Sequence, residues 1–110
     1  MKLFKSNVAY STVKEWMNTL HAVKHWDITE HMYNRMDERG YTLNHIQNII
    51  EKGEFVEYHD EKGTDRIVVE IREAKVRASI VADLTTKTLI TLFVRDNDIL
   101  GRNNKPYLGS

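Results

Sequence analysis

The sequence contains no cysteine among its 110 residues. This absence excludes disulfide bonds, thiol catalysis and zinc sites built on thiolates, and it is consistent with a reducing compartment. No apolar run approaches the ~20 residues that a membrane-spanning helix needs. The first ten residues contain two lysines but no apolar segment of the kind found in secretory signals. We therefore expect a cytoplasmic protein that does not associate with a membrane.

The chain also lacks an excess of either charge, since 16 lysines and arginines balance 16 aspartates and glutamates. Proteins that bind long nucleic-acid duplexes nonspecifically usually carry a basic excess, so the composition disfavours this class. A small enzyme that cuts RNA needs only a local cluster of positive charge. Hydrophobic residues make up 41% of the chain and charged residues 29%, which is ordinary for one globular domain with a modest core.

Helical patterns occupy the first half of the chain. Apolar stripes and capping-box spacings predict one helix from Thr12 to about Val23 and a second from Ile28 to Arg39, which Gly40 terminates. A third helix is predicted after the N-cap Thr42 and ends at Gly53. The two predicted capping boxes are Thr12 with Glu15 and Asp27 with Glu30.

After Gly53 the apolar period changes from helical to two, which is typical of strands. The alternation predicts four strands, and the short turns between them favour an antiparallel meander. Because the helices precede the strands and do not alternate with them, we predict an α+β fold with N-terminal helices packed on one face of a four-stranded antiparallel sheet. The predicted strands lie at Phe55–His59, Arg66–Arg72, Val76–Asp83 and Leu89–Arg95.

The predicted sheet has two unlike faces. One is strongly aliphatic and is expected to receive the helices. The other is mixed and polar, and an antiparallel sheet can leave such a face in contact with water, where a site could lie. Its polar residues are Glu57, His59, Arg66, Glu70, Arg77, Ser79 and Thr91.

The chain divides into three predicted parts. Residues 1–26 form an N-terminal extension with one helix, and residues 27–96 form a domain of two helices and four strands. Residues 97–110 contain Gly101, Pro106 and Gly109 and are expected to be a loosely held tail.

The most informative segment lies on the second predicted helix. His31, Arg35 and Arg39 follow each other at four-residue steps and therefore lie along one edge of the helix, beside the apolar line of Met32 and Met36. Guanidinium groups are suited to phosphate, and histidine can give or take a proton near neutral pH. This edge could therefore be an anion site.

Two structural interpretations of the same edge remain open. The first is a solvated face whose cations form ordinary ion pairs with nearby acids. The second is that Arg35 and Arg39 tie the helix to Glu57 or Glu70 on the sheet. The acids available on the helix itself are Glu30, Asp37 and Glu38.

The string H-x-x-x-R-M-x-x-R-G, which contains His31, Arg35 and Arg39, resembles the signature of a small bacterial domain-of-unknown-function family, numbered four-two-five-eight. The resemblance covers about Asp27–Arg95. The family resembles in architecture the RelE-like, barnase-like and EndoU-like toxin ribonucleases. The resemblance implies a helix pair packed on a twisted antiparallel sheet. It also implies a metal-independent ribonuclease-type toxin that uses no cofactor and cleaves RNA by attack of the 2′-hydroxyl on the phosphodiester.

The resemblance also implies roles for individual residues. His31 would transfer protons, Arg35 and Arg39 would neutralise the charge of the pentacoordinate phosphorane, and Thr91 would orient the phosphate or a hydroxyl. The expected partners are the RNA substrate and an antitoxin or immunity protein. The residues expected to contact the substrate are Arg77 and Ser79.

The sequence departs from those relatives at two places. They often carry a histidine on the third strand, where this chain has Arg77 to Ser79, and an aromatic hydroxyl near the end of the last strand, where this chain has Phe93. These departures and the zero net charge motivate an alternative, a non-catalytic protein-binding module of a phage or mobile element.

A metal site is the remaining chemical possibility. His21 and His25 are four residues apart, which is a spacing that metal ligands use. Without cysteine or an H-E-x-x-H arrangement, we expect no metal and interpret the pair as exposed histidines at a helix end.

Overall fold

The computed structural model describes residues 2–96, so the predicted tail, 97–110, lies outside the described residues. The α+β class predicted from the sequence is confirmed. The described chain has three α-helices and a sheet of six strands. The helices are α1 (Tyr10–Ala22), α2 (Glu30–Arg39) and α3 (Leu43–Lys52). The strands are β1 (Lys2–Phe4), β2 (Asp27–Ile28), β3 (Glu54–Glu61), β4 (Thr64–Arg72), β5 (Val76–Asp83) and β6 (Thr88–Asp96).

The prediction of a four-stranded sheet was wrong, because two short strands extend it. The strand order is β1-β3-β4-β5-β6-β2, and the four predicted strands form its antiparallel centre. β1 pairs antiparallel with β3, and β2 pairs parallel with β6. With three and two residues, β1 and β2 are too short to show a period of two in the sequence.

The first helix starts earlier than its capping-box spacing predicted. α1 begins at Tyr10 after the N-cap Ala9, and no side chain caps it. The prediction that Thr12 caps the helix was therefore wrong. Two backbone bonds to the Ala9 carbonyl, from the N–H groups of Thr12 and Val13, close the first turn instead.

The second helix starts two residues later than predicted. Asp27 belongs to β2, and the N-cap of α2 is Thr29, whose Oγ1 accepts a hydrogen bond from the Met32 N–H at 2.9 Å. The predicted box of Asp27 and Glu30 was therefore wrong. The predicted stop is confirmed, because Gly40 has a φ of 69°, a left-handed conformation that glycine adopts without a Cβ penalty.

The predicted N-cap of the third helix is confirmed. Thr42 Oγ1 accepts from the His45 N–H, and His45 Nδ1 accepts from the Thr42 N–H at 2.9 Å, so histidine takes the place that glutamate usually has in a capping box. Gly53 ends the helix and directs the chain into β3, as predicted.

The hydrophobic core lies between the helices and one sheet face. Ile67, Val69, Ile80 and Leu92 of the sheet are fully buried there, and each such side chain stabilises the fold by about 1.5–3 kcal/mol. The helices contribute their own buried stripes to the same core. Its helical members are Leu20, Met32, Met36, Ile46, Ile49 and Ile50.

The first helix packs over β3. The Trp16 ring lies parallel to that of Tyr58 at a centroid distance of 4.4 Å and stacks on Phe55 at 5.6 Å. Leu20 of the same helix is fully buried in the core.

No helix within residues 2–96 combines the length and the apolar character needed to cross a membrane.

Gly53 marks a close approach between α3 and the sheet. A Cβ added there would lie 2.5 Å from the Ile49 carbonyl oxygen and 2.5 Å from Val69 Cγ1. We therefore expect Gly53→Ala to lower the free energy of unfolding by about 2 kcal/mol through overpacking, measured by urea denaturation. The exposed α3 variant Asn44→Ala should change it by less than about 0.5 kcal/mol. Equal stability of the two variants would contradict this account of the contact.

Candidate functional site

The outer edge of β6 is covered by α2. The pairing of β2 with β6 ends at Ile28 and Leu89, so the carbonyls that follow lack a strand partner on that side. Thr29 Oγ1 donates to the Ile90 carbonyl at 2.8 Å, and Arg35 Nε donates to the Leu92 carbonyl at 3.2 Å. Side chains from the N-cap and the middle of α2 thus take the place of a neighbouring strand, which protects an edge that could otherwise pair with another chain.

Between these two contacts, His31 meets Thr91. His31 Nε2 lies 2.9 Å from Thr91 Oγ1, across 60 residues of sequence. His31 is exposed and Thr91 is buried, with 8% of its surface accessible. When Nε2 carries no proton, the Thr91 hydroxyl donates to it, and when it carries one, the hydroxyl accepts. A hydrogen bond therefore joins His31 and Thr91 in either protonation state of Nε2, and His31 is open to solvent.

Arg35 lies one helical turn beyond His31, on the same edge. Its Nη1 is 3.4 Å from Glu38 Oε1, and a quarter of the Arg35 side chain is exposed. An ion pair as exposed as this contributes little. Arg35 Nε donates to the Leu92 carbonyl, so the guanidinium is fixed on the residue that follows Thr91 in β6.

The alternative that ties these arginines to the sheet was wrong. Among the described residues, Glu57 pairs with Lys2 at 3.5 Å. Glu70 pairs with Arg72 at 3.1 Å. Neither carboxylate reaches α2.

Arg39 is not brought to the same place. It follows His31 by eight residues, which is about 12 Å along a helix axis. Its side chain is exposed and makes no hydrogen bond or ion pair with another residue of the range 2–96. The structure therefore groups His31, Arg35 and Thr91, and it leaves Arg39 at the far end of the edge.

The two predicted substrate contacts lie on a different surface, the sheet face opposite the helices. Arg77 lies opposite Arg95, and Ser79 lies opposite Phe93. Ser79 Oγ donates to Glu70 Oε2 at 3.4 Å. Both residues line a cleft of about 840 Å³ on this face, which we call the open-face cleft. It is lined by Lys2, Lys5, Lys52, Glu54, Phe55, Val56, Glu57, His59, Val68, Glu70, Ile71, Arg72, Arg77, Ser79, Val81, Phe93 and Arg95.

The cleft and the α2 edge meet at β6. Thr91 lies opposite Val81 in the sheet, and Phe93 is two residues further along the same strand. Because alternate residues of a strand share a face, Thr91 and Phe93 point to the same side, about 7 Å apart. Val81 and Phe93 both line the cleft, so the His31–Thr91 pair lies at its β6 border.

Sequence patterns missed several of the cleft residues. Arg72, Phe93 and Arg95 were not singled out as substrate contacts, although Arg72 and Arg77 flank a short turn and therefore must lie opposite one another. The position of Arg95 depends on an irregularity between Val81 and Ala82 in the β5–β6 pairing, which no residue pattern signals.

Asp83 is the buried carboxylate of the open face, with 1% of its surface accessible. Oδ2 accepts from Thr64 Oγ1 at 2.6 Å and Arg66 Nε at 3.0 Å, and Oδ1 accepts from the N–H groups of Thr85 and Thr86. Burial alone raises the pKa of this carboxyl, but the hydrogen bonds outweigh it and hold the pKa below its ordinary value. Asp83 is thus an ionised carboxylate with a structural role, and both of its oxygens already accept hydrogen bonds.

Tyr58 is similarly committed to the fold. Its hydroxyl donates to Asp65 Oδ1 at 2.6 Å, and this bond, with burial, raises the pKa of Tyr58 to about 12. Its ring is the one that Trp16 covers. Tyr58 is therefore an anchor for α1 and keeps its proton throughout the physiological range.

One histidine of the pair that suggested metal spacing makes a different contact. His21 Nε2 lies 2.9 Å from the Ile50 carbonyl and ties α1 to α3. Within residues 2–96 no three histidine, aspartate or glutamate side chains are grouped as metal ligands.

The fold defined above is that of an α+β domain in which three helices cover one face of a six-stranded sheet and a basic cleft occupies the other. Residues 28–94, more than half of the chain, match the domain family described as domain of unknown function DUF4258. The chain belongs to this family. The matched range contains α2, α3, β3, β4, β5 and most of β6, together with the His31–Thr91 pair. No curated protein and no solved structure matches the chain.

Proposed function

We propose that this protein is a metal-independent ribonuclease whose chemistry takes place at the His31–Thr91 pair. The 2.9 Å contact between His31 Nε2 and Thr91 Oγ1 carries the proposal. It joins a group that can transfer a proton near neutral pH to a hydroxyl at the border of a basic cleft. His31 is exposed, so a substrate can reach it.

The proposed reaction is an attack of the ribose 2′-oxygen on the adjacent phosphorus. With the Nε2–H of His31 donating to Thr91 Oγ1, the free Nδ1 removes the proton of the 2′-hydroxyl as the new O–P bond forms. The bond from phosphorus to the 5′-oxygen breaks, and that oxygen leaves with a proton taken from water. Arg35, whose Nε is fixed on the carbonyl of the neighbouring residue Leu92, would stabilise the charge on the phosphorane. Thr91 orients the imidazole, and Arg39 would contact a more distant phosphate.

A ribonuclease of this kind must be restrained in the cell that makes it. We propose, as part of the same function, that an antitoxin or immunity protein binds over the α2 edge and the open-face cleft. The support is that His31 is already accessible in the free chain, so its restraint has to come from a partner. Co-expression with such a partner should abolish the RNA cleavage described next.

The proposal is tested by the products of cleavage. Purified protein is incubated with RNA oligonucleotides of mixed sequence, or with DNA of the same sequence, in the presence of a chelator. We expect RNA fragments that end in a 2′,3′-cyclic phosphate or its hydrolysed form and begin with a 5′-hydroxyl, and we expect intact DNA because it lacks the nucleophile. Intact RNA, or equal cleavage of the DNA, would overturn the proposal.

A further inference from the structure

The open-face cleft concentrates positive charge in a chain whose formal net charge is zero. Six lysines and arginines line it, against three glutamates. The basic residues are Lys2, Lys5, Lys52, Arg72, Arg77 and Arg95. Its volume of about 840 Å³ lies in the range of pockets that enclose small molecules, so it fits a few nucleotides and not a duplex.

Three arginines form a row across the end of this cleft. Arg72 on β4 lies opposite Arg77 on β5, which lies opposite Arg95 on β6. Neighbouring strands are about 4.8 Å apart, and like charges directly opposite each other destabilise a sheet. The next row contains two acids, Glu54 and Glu70, and Glu70 pairs with Arg72 and accepts from Ser79. The sheet therefore places three guanidinium groups side by side at one end of the cleft.

Arg77, in the middle of the row, has a hydrogen-bond donor without a partner among the described residues. Its Nε is buried and has no hydrogen-bond partner among residues 2–96. Buried polar groups nearly always have a partner, and one without a partner calls for a specific explanation such as a ligand or an ion. Arg77 also lines the cleft, and the planar fork of a guanidinium is suited to a phosphate oxygen.

An aromatic ring lies in the adjacent row. Phe93 lies opposite Ser79 and lines the cleft. It is half-buried, and it is on the face away from the core cluster that the helices cover. A ring next to a row of cations is the arrangement with which proteins bind single strands, since bases stack on the ring while the cations hold the backbone.

We propose that the open-face cleft binds a single-stranded segment of RNA, with a phosphate on Arg77 and a base on Phe93. The inference rests on the proposed function for the choice of RNA as the polymer. The strand is single because only an unpaired base offers its face to a side chain. Phe93 is two residues from Thr91 on one face of β6, so a strand that follows β6 from the cleft reaches the His31–Thr91 pair.

The test measures binding separately from cleavage. A fluorescent single-stranded RNA with 2′-O-methyl groups, which has no free nucleophile, is titrated with protein, and anisotropy is recorded at several salt concentrations. We expect Arg77→Ser to raise Kd by about tenfold and to lower the salt slope by about one. Phe93→Leu should raise Kd by between about fivefold and a hundredfold. The control, Lys14→Ala on the exposed side of α1, should change Kd by less than about twofold.

Melting temperature separates a binding role from a structural one. Because Arg77 faces Arg72 and Arg95, Arg77→Ser should melt at or above the temperature of the wild type. Unchanged binding by Arg77→Ser, or displacement of the probe by duplex RNA as readily as by single strands, would overturn the proposal. A melting temperature several degrees below the wild type would also overturn it. If the modified strand binds as expected but the natural RNA is not cleaved, the ribonuclease proposal is contradicted and the binding proposal for the cleft is not.

Discussion

The His31→Ala variant is expected to cleave RNA about 10²–10⁴-fold more slowly than the wild type, because positioned proton transfer contributes an effect of that size. The 2.9 Å contact between His31 Nε2 and Thr91 Oγ1 fixes the imidazole and leaves Nδ1 for the proposed proton transfer. The measurement is the single-turnover rate on one RNA oligonucleotide, in chelator, at a protein concentration that saturates the substrate.

Two further variants separate chemistry from structure. His31→Gln keeps a side-chain amide that can bond Thr91 but cannot transfer a proton at neutral pH, so it should be nearly as slow as His31→Ala while melting close to the wild type. His25→Ala, at another exposed histidine, should cleave at the wild-type rate. Full activity in His31→Gln would show that the hydrogen bond, and not proton transfer, is what the site requires.

The second large effect is expected at Asp83, where Asp83→Asn should lower the free energy of unfolding by about 3 kcal/mol. Each carboxylate oxygen accepts two hydrogen bonds, so an amide nitrogen at either place faces two donors. The substitution also leaves Arg66 without its partner. In a domain of this size the loss corresponds to a fall in melting temperature of about 15 °C, measured by calorimetry.

The same carboxylate predicts a pH dependence of stability. The pKa of Asp83 in the folded protein is below its ordinary value of 3.8, so its contribution is present above that value and is lost as pH falls through the lower, folded pKa. Asp83→Asn should flatten this acid limb below about pH 4. The exposed Asp37→Asn variant should leave both the limb and the melting temperature as in the wild type. If Asp83→Asn lowers stability by the same amount at every pH, including the most acid, Asp83 is not the source of the acid limb.

The periodic segments of the fold could be predicted from the sequence because their patterns are local. The stop at Gly40, the N-cap Thr42 and the alternation in the four long strands depend on residues a few positions apart. β1 and β2 could not be predicted in this way. β1 forms by pairing with the edge of β3, and β2 forms by pairing with the edge of β6. Segments of two or three residues are too short to show an apolar period in the sequence. The same holds for α2, whose start at Thr29 was shifted by β2.

The candidate site could be predicted in part. Helical spacing placed His31 and Arg35 on one edge, and strand alternation placed Thr91 on the polar face. Their meeting depends on where α2 lies against β6, which is a contact between residues 60 positions apart. Arg39 shares the spacing but not the contact, because each further turn moves the chain along the axis and away from Thr91.

The segment from Thr29 to Arg35 combines cover for the edge of β6 with the histidine for which we propose a function. Thr29 and Arg35 donate to carbonyls on the outer edge of β6, and His31 lies between them on Thr91. An edge strand needs such cover, and the cover fixes the histidine beside the cleft. The same segment thus contains residues that cover the edge as well as a residue proposed to act there.

The most direct test of the whole account is the separation of binding from cleavage on one single-stranded RNA. Kd is measured on the 2′-O-methyl form and the single-turnover rate on the natural form, for the wild type, His31→Ala and Arg77→Ser. The account predicts that His31→Ala binds within about twofold of the wild type and has lost the rate. It predicts that Arg77→Ser binds about tenfold more weakly and recovers most of the rate at saturation. Loss of rate and of binding in the same proportion in both variants would contradict it.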